Sequence, residues 1–318
     1  MKKILIVLLL ILPLMSCQNN KQENYTFFAM DTIISLSLYN PTDGKKIAED
    51  VEDIYLKYDQ VASDFTSGNV CNNVYDLNEH RSIEINSELK ELIEFSVLMH
   101  KETDGYFNPF IGRLSHLWKD SLNSGKLLES SDIEEELIIM NNTSVVFDQN
   151  TATLIGAGNL DLGGIAKGYA TQKAKEYLES INCTGFLLNA GSSNIVLGEK
   201  YGENFSVGLS KATDFGYFQI LNIKNKSIST ASISEQHYEI DGTIYSHLIN
   251  AKTGYPSVLY DGISIIGDDS ARLDAYSTAC FSMEIEEIKA FLNNKGLDFI
   301  ISKDNKLMYK SEGVDNYA

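Results

Sequence analysis

The stretch Asp161-Leu162-Gly163-Gly164-Ile165-Ala166-Lys167-Gly168-Tyr169 constrains this chain more than any other. Before it, residues 144–155 read as a hairpin, two β-rich runs joined at Gln149-Asn150. After it, Ala166, Tyr169, Ala170, Ala174, Tyr177, Leu178 and Ile181 recur at helical spacing. The glycines therefore sit where a strand region feeds a helix. Glycine there lets the backbone approach a ligand closely, and a helix N-terminus offers amide groups to an anion such as a diphosphate. A tight turn that only packs helix on strand produces the same glycines. The charges favour the ligand: Asp161 enters the turn, and Lys167 lies in the first helical turn, where a cation opposes the helix dipole and calls for an external anion.

The length of 318 residues fits one large or two small domains, and a net charge of −18 speaks against nucleic acid, which needs basic patches. Residues 1–17 stand apart. Lys2-Lys3 precede an apolar run over residues 4–14, too short for a stable membrane span. Leu14-Met15-Ser16-Cys17 then resembles a bacterial lipoprotein signal with Cys17 lipidated; the alternative is a plain secretory signal with a chance cysteine. A lipid on Cys17 would hold a soluble domain at the membrane surface of the bacterial envelope, on the extracytoplasmic side. Residues 18–24 are polar and read as a tether, leaving 25–318 as the folded domain, with a charge of about −20 once Lys2 and Lys3 are gone. Cys71, Cys183 and Cys280 are too scattered for a disulfide framework, and Cys183 and Cys280 read as small buried apolar residues. No CxxC or HExxH spacing occurs, which argues against a structural zinc or a zinc protease.

Along the chain, residues 25–39 contain a strand whose start is interrupted by Met30-Asp31-Thr32. A helix follows from Pro41, with Ile47, Val51, Ile54, Tyr58 and Val61 on one face and Thr42 or Asp43 as cap. Residues 63–73 read as loop, with Phe65 isolated among small polar residues, and 82–85 as a short strand. Asn86 or Ser87 caps the next helix, which ends near Gly105. An aromatic turn follows at 105–110, then helices around Trp118 and over 133–140. Residues 185–197 read as one strand broken at Asn189-Ala190-Gly191; 205–209, 217–223 and 262–267 also read as strands. Asp241-Gly242 signals a hairpin over 238–249. Helices over 269–283 and 285–293 and a hairpin over 297–309 close the chain. Hairpins mix with helices without a steady β-α rhythm, which predicts an α+β fold of mixed or antiparallel sheets with packed helices.

Two further constellations carry chemistry. Asp274 and Thr278, four residues apart on a helix, face the same way and suit a hard cation such as Mg²⁺; a surface Asp beside a helical Thr gives the same spacing. His247, beside the turn at Thr253-Gly254, has the ordinary pKa of a general base, or is a structural histidine. His80, His100, His116 and His237 are given no role. Asn189-Ala190-Gly191-Ser192 and Ser229-Thr230-Ala231-Ser232 are polar breaks that fit ordinary strand ends as well as points where backbone meets ligand.

In this order the pieces resemble the FAD:protein FMN transferase family, often called ApbE. They are Met30-Asp31-Thr32, Gly105-Tyr106-Phe107-Asn108-Pro109, the Asp161 turn, Asn189-Ala190-Gly191, Ser229 to Ser232, His247 to Gly254, and Asp274-Ala275-Tyr276-Ser277-Thr278-Ala279. The resemblance implies a Mg²⁺-dependent enzyme that splits FAD, releases AMP and attaches FMN through a phosphoester to a Thr or Ser of an exported acceptor protein. It implies metal ligands at the Asp274 carboxylate, the Thr278 hydroxyl and the backbone carbonyls of Gly164 and Ser277. It places Met30, Phe65, Phe107, Asn108, Asp161, Lys167 and Leu248 against the flavin nucleotide, and His247 as the base that activates the acceptor hydroxyl. Some departures fall on ligand-facing loops: Asp31 stands for a glycine, Asn108 for an aspartate, and Ser192-Ser193 for Gly-Asp. Two other activities fit the same motifs: an FAD pyrophosphatase giving FMN and AMP, and a flavin-binding lipoprotein without turnover.

Overall fold

The computed structural model describes residues 20–318 apart from Glu235 and Asp241. The expected signal over 1–17 with Cys17, and the Asp241 half of the Asp241-Gly242 turn, lie outside the described residues. β1 (Gln22–Ala29) and β2 (Thr32–Tyr39) pair as an antiparallel hairpin. Met30 and Asp31 are its turn, both left-handed at φ 53° and 57°, the two-residue geometry that matches strand twist. These residues therefore reverse the chain instead of interrupting one strand, and β1 begins inside the polar stretch read as a tether. α1 (Gly44–Ala62) is capped by Asp43, whose carboxylate accepts from Lys46 N–H, and buries Ile47, Val51, Tyr55, Tyr58 and Val61.

α2 (Val74–His80) was not predicted: seven residues carry too little periodicity, although Asn73 and Asp76 form a reciprocal capping box. β3 (Ser82–Glu84), α3 (Ser87–Glu102, capped by Asn86), α4 (Gly112–Asn123), α5 (Ser130–Asn141) and the β4 (Ser144–Asp148)–β5 (Thr151–Ile155) hairpin follow. The glycine turn then opens α6 (Gly163–Ser180). Residues 186–197 are two antiparallel strands, β6 (Phe186–Ala190) and β7 (Asn194–Leu197), not one broken strand. Their turn uses Gly191 and Ser192 at φ 63° and 67°, and it abuts Thr32 so closely that a Cβ at Gly191 would lie 2.3 Å from the Thr32 hydroxyl. β8 (Phe205–Ser210), β9 (Tyr217–Ile223), β10 (Lys226–Ser232), β11 (His237–Ile240), β12 (Thr243–Ser246) and β13 (Gly262–Gly267) lead to α7 (Ser270–Cys280). α8 (Ile285–Asn294), β14 (Asp298–Lys303) and β15 (Lys306–Lys310) end the regular structure before a 3-10 turn.

The main sheet runs β1-β2-β6-β7-β10-β13-β14-β15, antiparallel throughout. Its strands alternate between two cores. Leu36, Leu188, Val196, Ala231, Ile263, Ile265 and Ile301 face α1, α6 and α7. Ile228, Ile266 and Ile300 face the other way, under the β8–β9 hairpin. This is the predicted α+β architecture. A smaller core of Leu114, Trp118, Leu122 and Ile133 joins α4 and α5 to the β11–β12 hairpin. No described helix is long and apolar enough to cross a membrane.

Candidate active site

α6 and α7 touch because small residues face one another. A Cβ at Gly168 would lie 2.3 Å from the Cβ of Asp274, so only glycine permits this separation. In that gap the Gly168 N–H donates to Asp274 Oδ2 at 2.7 Å. Asn194 Nδ2 and Ser229 Oγ donate to Asp274 Oδ1 at 3.1 and 3.3 Å, and Ser229 Oγ also bonds Asn194 Oδ1 at 2.9 Å. One turn on, the Thr278 hydroxyl donates to the Gly164 carbonyl at 3.2 Å. The glycine turn and the distant acid–hydroxyl pair thus meet. Asn194 and Ser229, which orient the carboxylate, were missed as individual residues. Asn194 begins a strand just beyond the Ser192-Ser193 departure, and only the β7–β10 register puts it opposite Ser229.

α7 is itself tied down at one side. The Glu102 carboxylate accepts from Arg272 Nη1 at 2.6 Å, from Lys295 Nζ at 2.8 Å and from the Tyr276 hydroxyl. Burial alone raises its pKa, but the hydrogen bonds from Lys295, Tyr276 and Arg272 win and lower it to about 2.

The segment entering the glycine turn is also held. Asn78 bonds both the N–H and the carbonyl of Leu160, at 2.7 and 2.9 Å, and Arg81 bonds the Gly156 and Gly158 carbonyls at 2.8 and 2.9 Å. Asp161 then accepts from Ser115 Oγ at 2.6 Å and from Gly163 N–H at 2.8 Å. One amide at the helix start is therefore used by the chain itself, not left open to an anion. Loss of water around Asp161, then the nearby Asp64 carboxylate, raise its pKa against the pull of Ser115 and Gly163.

These residues surround two adjoining cavities, of about 210 and 630 Å³. Ser115, Asp161, Gly163, Lys167, His247 and Ile249 line both, so the two form one cleft. The inner cavity has Gly164, Asp274, Ser277 and Thr278 on its floor and Phe107, Asn108 and Leu248 on its walls. Phe107 is fixed through its backbone, by Thr103 Oγ1 at 3.1 Å and His100 Nδ1 at 3.0 Å. Asn108 Oδ1 accepts from Phe110 N–H at 3.0 Å, a task that its oxygen performs as an aspartate would. The outer cavity holds Met30, Asp31 and Phe65. All the site residues expected within the described residues therefore fall on one cleft.

His247 lies one residue past β12, not on a strand. Its Nδ1 sits 2.7 Å from the Gln236 carbonyl, which can only accept. Nδ1 therefore carries the proton, and Nε2 is the basic nitrogen of the neutral ring. The small α4–α5 core underlies this hairpin, and Trp118 Nε1 clasps the Gly254 carbonyl at 2.7 Å. His116, given no role in the sequence, also lines the outer cavity.

Among the described residues no group of three or more His, Cys, Asp or Glu side chains converges as a metal cage. The floor instead offers one carboxylate, one hydroxyl and backbone carbonyls. That donor set fits a hard cation that keeps waters and shares substrate phosphates, and not zinc.

The comparisons agree with this geometry. The model of the ApbE family matches residues 30–301. A protein of Klebsiella pneumoniae named FAD:protein FMN transferase is 25% identical over 92% of this chain and 95% of its own length. Its namesake in Treponema pallidum is 27% identical over 72% and 69%. The crystal structure of the ApbE protein from Thermotoga maritima superposes with a TM-score of 0.83 at 24% identity, covering 93% of this chain and 99% of that one. The flavin transferase ApbE from Vibrio cholerae gives 0.79 at 17%, covering 94% and 100%. With one cleft built from the motifs in their expected order and a family match spanning most of its length, this chain belongs to the ApbE family.

Proposed function

We infer that this chain is a flavin transferase that takes FAD as donor and a protein as acceptor. The observation that carries the reading is the meeting of the Gly164 turn with Asp274 and Thr278 at the floor of a cleft whose opposite wall is His247. In finer detail, the diphosphate lies over this floor and the flavin ring lies towards Met30 and Phe65. A divalent cation, Mg²⁺ in the first instance, would be held by the Asp274 carboxylate, the Thr278 hydroxyl and the Gly164 and Ser277 carbonyls. It would supply neutralisation of diphosphate charge. Lys167 adds a cation at the junction of the two cavities. His247 Nε2 takes the proton of an acceptor Thr or Ser hydroxyl as its oxygen attacks the FMN phosphorus. The new P–O bond forms, the bond to the AMP phosphate breaks, and AMP leaves. Phe107 and Leu248 exclude water from this step, which favours a protein hydroxyl over hydrolysis. The lipoprotein-like residues ending at Cys17 support placing the activity at the extracytoplasmic surface of the envelope, where an exported acceptor would meet it.

The test is incubation of the purified chain with FAD, Mg²⁺ and a co-encoded exported protein. The expected result is a mass gain of one FMN on a Thr or Ser and stoichiometric AMP. FMN and AMP released equally with and without acceptor would make the chain a pyrophosphatase; intact FAD would make it a binding protein.

A further inference from the structure

The outer cavity carries a cluster for which the transfer reaction assigns no task. His116 Nε2 on α4 bonds Asp64 Oδ2 at 2.8 Å. The His116 ring stacks on Phe65, with centroids 5.2 Å apart and 23° between the planes. Lys119 Nζ lies 4.3 Å from the Phe65 centroid. His116 and Lys119 are three residues apart on one helix and so share a face. Both reach Phe65 from α4, yet Phe65 is still 56% exposed, and its remaining surface opens on the cavity lined by Met30 and Trp118. An exposed aromatic ring steadied by a stacked imidazole and an ammonium is suited to receive a flat ring.

The support for Phe65 is titratable. The hydrogen bond to Asp64 raises the His116 pKa against the opposing effect of burial; the charge of Asp161 adds to the rise and Lys119 subtracts from it. Asp31 on the β1–β2 turn, Asp59 on α1, Lys167 on α6 and His247 after β12 face the same cavity. When protonated, His116 makes an ion pair with Asp64 and a cation–π stack with Phe65. When neutral, it keeps at most a hydrogen bond and an ordinary stack.

We propose that His116 is a positioning residue: clamped by Asp64, it holds Phe65 as the platform for the flavin's tricyclic ring, and recognition of that ring weakens as pH rises. This rests on the outer cavity being the flavin-ring end of the FAD cleft. Riboflavin, which has no phosphate and needs no cation, is the probe, followed by quenching of its own fluorescence between about pH 6 and about pH 9. For the unaltered chain the dissociation constant should rise about threefold to tenfold across that range. His116→Asn, which cannot ionise, should bind weakly with a flat profile. Asp64→Asn should move the midpoint to lower pH, because the group that retains the proton is gone. A wild-type slope in His116→Asn, or an unmoved midpoint in Asp64→Asn, overturns the proposal. FAD binding without any riboflavin binding would instead overturn the placement of the ring, a separate failure that the same titration reads directly.

Discussion

The floor of the cleft and its rim are built in opposite ways. On the floor, α6 and α7 meet through Gly168, and every printed partner of Asp274 is a buried group fixed by helix or sheet: Gly168 N–H, Asn194 and Ser229. On the rim, His247 follows a two-stranded hairpin that rests on a four-residue core, and Phe65 projects from a loop onto α4. The floor is part of the main core; the rim is a satellite of it. A rigid floor suits a phosphate bridge and a cation, whose chemistry tolerates little displacement. A less embedded rim suits the two events that must vary, entry of the flavin ring and arrival of a protein hydroxyl.

Substitutions can break this contrast in graded steps. Asp274→Ala should have the largest effect, lowering FAD cleavage at least about 10³-fold, measured as AMP release with saturating Mg²⁺. Unchanged turnover would remove the cation from the floor. His247→Ala should reduce transfer to acceptor about 10²- to 10⁴-fold and leave FAD bound, separating rim chemistry from floor binding. Equal loss of FAD affinity would mean that the rim also holds the nucleotide. Gly168→Ala should force α6 and α7 apart and destabilise the fold by about 1–3 kcal/mol, read by thermal denaturation. A melting temperature within error of the parent would show that the helices have slack. Glu102→Gln should have the smallest effect, about 1–2 kcal/mol at neutral pH. The Glu102 pKa is depressed to about 2, so its contribution is present above the ordinary carboxylate value of 4.5 and is lost as pH falls through about 2. Parent and variant melting curves should therefore differ at pH 7 and converge in strong acid; a gap that widens on acidification would contradict the assignment.

Much of the floor was legible because its signals are local. Helical spacing put Asp274 and Thr278 on one face, the glycine turn announced the start of α6, and the all-buried β13 stood out as an apolar run. Asp43 and Asn86 were readable as caps because their hydrogen bonds span three residues. What stayed hidden depends on pairing across the chain. Asn194 meets Ser229 only through β7–β10 register, and Asn78 reaches Leu160 across 82 residues. The β6–β7 reversal was concealed because Ser192, unlike glycine, gives little warning of a positive φ. His116 carried no signal by itself: its partners Asp64 and Phe65 lie on a loop some fifty residues earlier.

Trp118 adds a practical consequence. It is the sole tryptophan of the sequence, it borders the outer cavity, and its indole is fastened to Gly254 within the small α4–α5 core. Oxidised flavins absorb where indole emits, so occupation of the cleft should dim this one fluorophore by energy transfer. The chain thus contains its own optical gauge, which needs no label and reports on the rim alone.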